Sequence, residues 1–123
     1  MTTAYWCVLI AALMPFVFAG IAKWSPGFDN AKPRVYLAAL DGFRQRAHWT
    51  QLNSFEMFPM FAAGVLVAQQ VGVSQGTIDA LAIAYVLARA LYGAMYLADW
   101  ATARSVVWLV ALGCVVGLFV AGV

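Results

Sequence analysis

The sequence predicts an all-α integral membrane protein: a bundle of four transmembrane helices in one domain, residues 1–123. Three observations predict it. Of the 123 residues, 65% are hydrophobic and 10% charged, with a mean hydropathy of +0.85, more apolar surface than one soluble core in so short a chain can hide. Four apolar stretches, Ala4–Ala22, Leu52–Val73, Ile78–Ala98 and Val106–Val123, each have about the 20 residues needed to cross a hydrocarbon core as a helix. Strand-like alternation is absent, and Ala- and Leu-rich runs of this length argue for helices over a barrel.

The first stretch differs from a cleaved secretory signal. Met1–Tyr5 has no Lys or Arg, and Lys23 follows the stretch instead of preceding it, so a retained first span with its N-terminus outside is expected. The connection after it has turn chemistry at Ser25-Pro26-Gly27, Asp29-Asn30 and Pro33, then a segment with helical character from Arg34, interrupted at Gly42. The second helix is expected to begin near Phe43, with a polar turn or two ahead of its apolar core. With these polar ends included, the spans run about 4–22, 46–73, 78–98 and 104–123. Pro15 and Pro59 each remove a backbone donor inside a span. Gly76-Thr77-Ile78-Asp79 reads as a helix start, which accounts for Asp79 as a carboxylate at the positive end of its own helix.

Charge placement selects one topology. Lys23, Lys32, Arg34, Arg44 and Arg46 lie between spans one and two and Arg104 opens span four, six of the seven basic residues. All six fall on one face, which the positive-inside rule assigns to the cytoplasm. Both termini are then periplasmic. A net charge of +2 in such a chain says nothing about nucleic acid, and no nucleic-acid partner is expected. Cys7 and Cys114 lie in apolar spans without metal-like spacing and read as packing residues; no metal site is expected. His48 is the only histidine, which excludes a bis-histidine haem within one subunit.

Two ionisable residues sit where lipid should be, Glu56 in span two and Arg89 in span three. A charge there costs at least about 2.5–3.5 kcal/mol and normally faces a protein interior. The polar residues align by helical period. Arg46, Asn53 and Glu56 share a stripe with Trp49, flanked by Thr50 and Gln51. Arg89, Tyr92 and Tyr96 share a face that Tyr85 extends. Arg104, Ser105 and Trp108 stand at the start of span four. The topology brings all three stripes into the cytoplasmic half of the membrane, with Glu56 and Arg89 roughly 10–15 Å deep at about 1.5 Å per residue. Arginines suit ligand carboxylates, Glu56 a ligand ammonium, and the tyrosines and Asn53 orientation, as for a zwitterionic, carboxylate-bearing ligand. The alternative is a buried Glu56–Arg89 pair that fixes helix register, with Trp100 in an interfacial aromatic belt and Arg104, Arg44 and Arg46 as positive-inside anchors.

The run Arg46-Ala47-His48-Trp49-Thr50-Gln51-Leu52-Asn53-Ser54-Phe55-Glu56-Met57-Phe58-Pro59-Met60-Phe61 resembles the second-helix signature of the MAPEG proteins, the membrane-associated proteins in eicosanoid and glutathione metabolism. Arg89-x-x-Tyr92-x-x-x-Tyr96 followed by Arg104-Ser105 is similar to the family's third helix and the start of its fourth. Asp29-Asn30-x-x-Pro33-Arg34 looks like the loop of bacterial members.

The resemblance implies a homotrimer in the bacterial inner membrane with active sites between neighbouring subunits, where glutathione is the co-substrate and a lipophilic small molecule or lipid arrives from the bilayer. It implies that Arg46, Gln51, Asn53, Glu56, Arg89, Tyr92 and Tyr96 bind glutathione. It also implies that Arg104 lies beside the sulfur and favours the thiolate, with Ser105 a second candidate for that task. The position four residues before Asn53 is an Arg in the eicosanoid-making members and Trp49 here. Two functions stay open on this fold: a glutathione-dependent transferase or peroxidase, and a non-catalytic lipid-binding or partner-scaffolding protein. A small four-span drug exporter fits poorly, since its key Glu stands in the first span and this first span has no charge.

Overall fold

The computed structural model describes all residues from Met1 to Val123 as five helices with no strand. They are α1 (Thr3–Lys23), α2 (Pro33–Ala38), α3 (Gly42–Gln70), α4 (Gln75–Leu97) and α5 (Ala101–Val120). Of these, α1, α4 and α5 are long and apolar enough to cross a membrane. The 29 residues of α3 give it the length, about 43 Å at 1.5 Å per residue, but its first half carries Arg44, Gln45, Arg46, His48, Gln51 and Asn53 and falls short on apolarity.

Helices α1 and α5 take opposite corners of the bundle; each packs on α3 and α4, which also meet each other across the middle. The core at the closed end is built from Phe61 and Val65 of α3, Ile78 and Tyr85 of α4, and Leu118 of α5, all at or near zero exposure. Phe61 and Tyr85 stack face to face with ring centroids 3.9 Å apart, so Tyr85 extends the core and not the polar stripe. Cys7 and Cys114 are buried, free and part of this cluster. Small residues set the helix spacing. A Cβ at Gly64 would lie 3.2 Å from Leu118 Cβ, and one at Gly93 would overlap the Phe18 ring. Large side chains such as Leu13, Phe16, Leu87, Leu91, Leu109 and Val116 point outward and are exposed, as expected of a surface solvated by lipid.

The helix ends explain the connections. After α3, Gly72 takes φ +80, and the Gly72 N–H to Gln69 and Val73 N–H to Ala68 hydrogen bonds (3.3 and 3.1 Å) close a Schellman motif. The same motif ends α4, through Asp99 N–H to Tyr96 (3.1 Å) and Trp100 N–H to Met95 (2.9 Å), with Asp99 left-handed at φ +61. Asp tolerates that conformation better than most non-glycine residues. Gly42, also left-handed at φ +59, opens α3 where the interruption was expected.

One expectation is overturned. Asp79 lies in the second turn of α4 and does not cap its own helix: Oδ1 accepts the backbone N–H of Ala4 at 2.9 Å and Gln75 Nε2 at 2.8 Å. The carboxylate serves the positive end of a different helix, α1, which the fold brings beside it. The start of α4 itself falls three residues earlier, at Gln75, and α5 likewise starts at Ala101 and ends at Val120.

Candidate functional site

The α4–α5 connection is only three residues, Ala98–Trp100, so it folds the last turns of α4 against the first turns of α5. The guanidinium of Arg104 is thereby placed 4.2 Å from the Tyr96 ring centroid. Tyr96 meets the Tyr92 ring edge to face at 5.6 Å. Over the Tyr92 ring lies the Arg89 guanidinium, 4.2 Å from its centroid. Four side chains thus form one stack, Arg89–Tyr92–Tyr96–Arg104, with a cation at each end. Each cation–π contact contributes about 0.5–1 kcal/mol when exposed and about 2 kcal/mol or more when desolvated.

Helix α3 supplies the remaining wall. Thr50 donates its hydroxyl to Arg46 O and Ser54 to Thr50 O, both at 2.8 Å, the back-bonding that polar side chains adopt inside an apolar helix. Ser54 Oγ is left free to accept from Arg89 Nη2 at 3.4 Å. Arg89 is only 2% exposed, and its Nη1 has no partner.

A cavity of about 200 Å³ opens between these helices, lined by Asn53, Tyr92, Tyr96, Arg104, Ser105 and Trp108. Five of the nine residues expected at the site therefore meet in it. Arg89 stands behind Tyr92 and does not line it. Glu56 is exposed on the surface of α3 beside the cavity, where it accepts from Asn53 Nδ2 at 3.4 Å; Asn53 Oδ1 is buried without a partner. The buried Glu56–Arg89 pair does not form, since Arg89 hydrogen-bonds only to Ser54. Arg46 donates to Leu97 O at 3.3 Å, where it satisfies a carbonyl at the C-terminus of α4.

Gln51 faces elsewhere. With Arg34, Leu37, His48, Leu52 and Phe55 it lines a second cavity of about 450 Å³ between α2 and α3, and its Oε1 lies 3.4 Å from His48 Nδ1. Trp49 is 43% exposed, its ring 6.4 Å from that of Tyr96, which lines the first cavity. Two residues of the site were not among the nine. Trp108, one helical turn beyond Arg104, was recognisable by that spacing. Ser54, one turn after Thr50, carried the signal of a second hydroxyl at helical period in an apolar run.

The lining of the first cavity restricts its chemistry. One guanidinium, two phenols, an amide, a hydroxyl and an indole face the space, and no carboxylate or imidazole does. Ser105, already donating to Ala101 O at 3.1 Å, has no base to activate it as a nucleophile. The arrangement suits an anion that enters with its own charge and stays beside Arg104, with the tyrosines and Asn53 as hydrogen-bonding groups.

Comparison with functionally curated proteins returns no match, and neither does comparison with solved structures. The MAPEG family model matches residues 3–123. Essentially the whole chain is covered, and the protein belongs to the MAPEG family.

Proposed function

We propose that this protein is a membrane-bound glutathione-dependent transferase or peroxidase acting on a lipophilic electrophile or lipid hydroperoxide. The observation that carries the reading is the base-free cavity with Arg104 against Tyr96. A site without its own nucleophile fits a ligand that brings one, and a cation beside a thiol lowers its pKa from a free value of about 8.5. In transfer, the glutathione thiolate forms a carbon–sulfur bond, the leaving group departs with its electron pair, and the thiol proton goes to solvent. In peroxide reduction, the thiolate attacks one peroxide oxygen, the O–O bond breaks, and the alkoxide takes a proton. A second glutathione then reduces the resulting sulfenic acid to disulfide and water.

In this reading α3 also crosses the membrane, as the second of four spans, its polar first turns projecting into the cytoplasm and both chain termini periplasmic. The membrane is the bacterial inner membrane. The working unit is a homotrimer. A lone chain leaves the Glu56 carboxylate on an outer helix surface at membrane depth, which a neighbouring subunit would cover. The cavity at Gln51 opens on the opposite side of α3 from Asn53, as a residue contributed to a neighbour's site would. Arg46 and Glu56 then complete glutathione binding from the α3 side.

Glutathione titrated into the detergent-purified protein near neutral pH should raise the ultraviolet thiolate absorbance. Arg104→Ala should abolish that signal and turnover without changing the particle size. An undiminished signal in the variant would remove Arg104 from its role.

The second reading, a non-catalytic lipid-binding or partner-scaffolding protein, draws on Trp49, which meets Tyr96 at the cavity's end in place of a carboxylate-binding Arg. It expects no thiolate and no glutathione binding in the natural chain, with binding gained in Trp49→Arg.

A further inference from the structure

The Arg89 side chain raises a separate question. The guanidinium of a residue that is 2% exposed, with Nη1 unpartnered and Nη2 held only by a serine hydroxyl, is an expensive group to keep in an apolar bundle. It touches neither the cavity nor a carboxylate. Its guanidinium lies over the Tyr92 ring, and through Tyr92 and Tyr96 it reaches Arg104. We infer that Arg89 is a positioning residue: anchored on Ser54, it fixes the Tyr92–Tyr96 pair against which Arg104 rests, so a charge that never meets the ligand sets where the sulfur-facing guanidinium sits.

The geometry supplies the means. Each tyrosine has one face or edge committed to a neighbour in the stack, so neither ring can turn without loosening the next contact. The Thr50–Ser54 ladder ties the Arg89 end to the backbone of α3, and the short α4–α5 turn ties the Arg104 end to α4. Removing the Arg89 charge frees the Tyr92 face, then Tyr96, and leaves Arg104 without a fixed platform. Cation–π attraction persists with lysine but is weaker and lacks the planar stacking of a guanidinium.

The functional part of this inference rests on the glutathione reading, and one experiment separates the two. Arg89→Met and Arg89→Lys are prepared with [15N]arginine, and the Arg104 side-chain resonance is recorded in detergent alongside glutathione affinity and kcat. The ring-current shift of Arg104 over Tyr96 should collapse in Arg89→Met and recover in part in Arg89→Lys. Glutathione affinity should change less than threefold while kcat falls at least tenfold, because the ligand contacts remain and only the placement of Arg104 is lost.

An unmoved Arg104 resonance in Arg89→Met overturns the inference, as does a fall in affinity as large as the fall in kcat, which would put Arg89 on the ligand. Should Arg89→Met not fold, the Arg89→Lys and Tyr92→Leu variants and their combination carry the test. Their effects on the Arg104 shift should be far from additive, and additive effects overturn it. A collapse of the shift in a protein whose natural chain forms no thiolate supports the coupling and overturns the glutathione reading alone.

Discussion

Gln51 and Asn53 are two residues apart on α3 and face different cavities, Gln51 beside His48 and Asn53 beside Tyr92, Tyr96 and Arg104. Two steps along an α-helix turn the side chain through about 200° at 3.6 residues per turn, so one chain cannot bring both to one ligand. If both hold glutathione, they do so from different subunits.

Complementation checks this. Gln51→Ala and Asn53→Ala should each weaken glutathione binding about fivefold to tenfold, the loss of one hydrogen bond to a charged or polar ligand group at about 1–1.5 kcal/mol. Co-assembled in one membrane, the two variants should regain a fraction of tight sites. No recovery in mixed assemblies would place each site within a single chain.

The contact of Gly93 with Phe18 predicts a packing limit. Gly93→Ala puts a methyl into the Phe18 ring, with Cε1 only 2.7 Å from the new Cβ, so the ring or a helix must shift. Thermal unfolding in detergent should show a loss of about 1–3 kcal/mol, the usual cost of overpacking. Phe18→Leu in the same chain should recover much of it.

The Asp79 carboxylate predicts a dependence at the other end of the bundle. Asp79→Ala removes the acceptor for Ala4 N–H and Gln75 and should cost about 1 kcal/mol, as for loss of a helix cap. Asp79→Asn keeps an acceptor oxygen and should cost less. Amide exchange at Ala4 should quicken in the Ala variant; an unchanged rate would show that the cap contributes nothing there.

At the α4–α5 turn, Asp99→Gly should be neutral or stabilising by up to about 1 kcal/mol, since φ +61 carries no penalty for glycine. Asp99→Val should destabilise by about 1–2 kcal/mol and lower kcat, because the same turn aligns Tyr96 with Arg104. The unfolding midpoint and turnover measured together distinguish this from a stability loss alone.

Much of this was legible from local pattern. The apolar runs overlap α1, α4 and α5 to within five residues at each end, while α3 begins ten residues ahead of its apolar run; the interruption at Gly42 was recognisable from turn chemistry, and the Tyr92–Tyr96 grouping followed from helical spacing. What could not be read was set by partners distant in sequence. Asp79 looked like a cap for its own helix because nothing local reveals that Ala4, 75 residues away, arrives beside it. A Glu56–Arg89 pair was open as the alternative because both are charges at one depth. Their depth is a property of one dimension, and the rotation of α3 that turns Glu56 outward and Ser54 toward Arg89 of α4 is fixed by packing against α1, α4 and α5. Gln51 entered the expected site through family resemblance, while the helical period turned it away.

The α4–α5 turn also bears on biosynthesis. Five of the six cavity residues, Tyr92, Tyr96, Arg104, Ser105 and Trp108, fall within one stretch of chain shorter than a single long helix. Two apolar helices joined by so tight a bend enter a bilayer as one hairpin, and contacts this local form early because little loop entropy opposes them. The Tyr96–Arg104 contact would then exist during membrane insertion, before α1 and α3 close around it. The guanidinium near the bend would rest against an aromatic face from that point on.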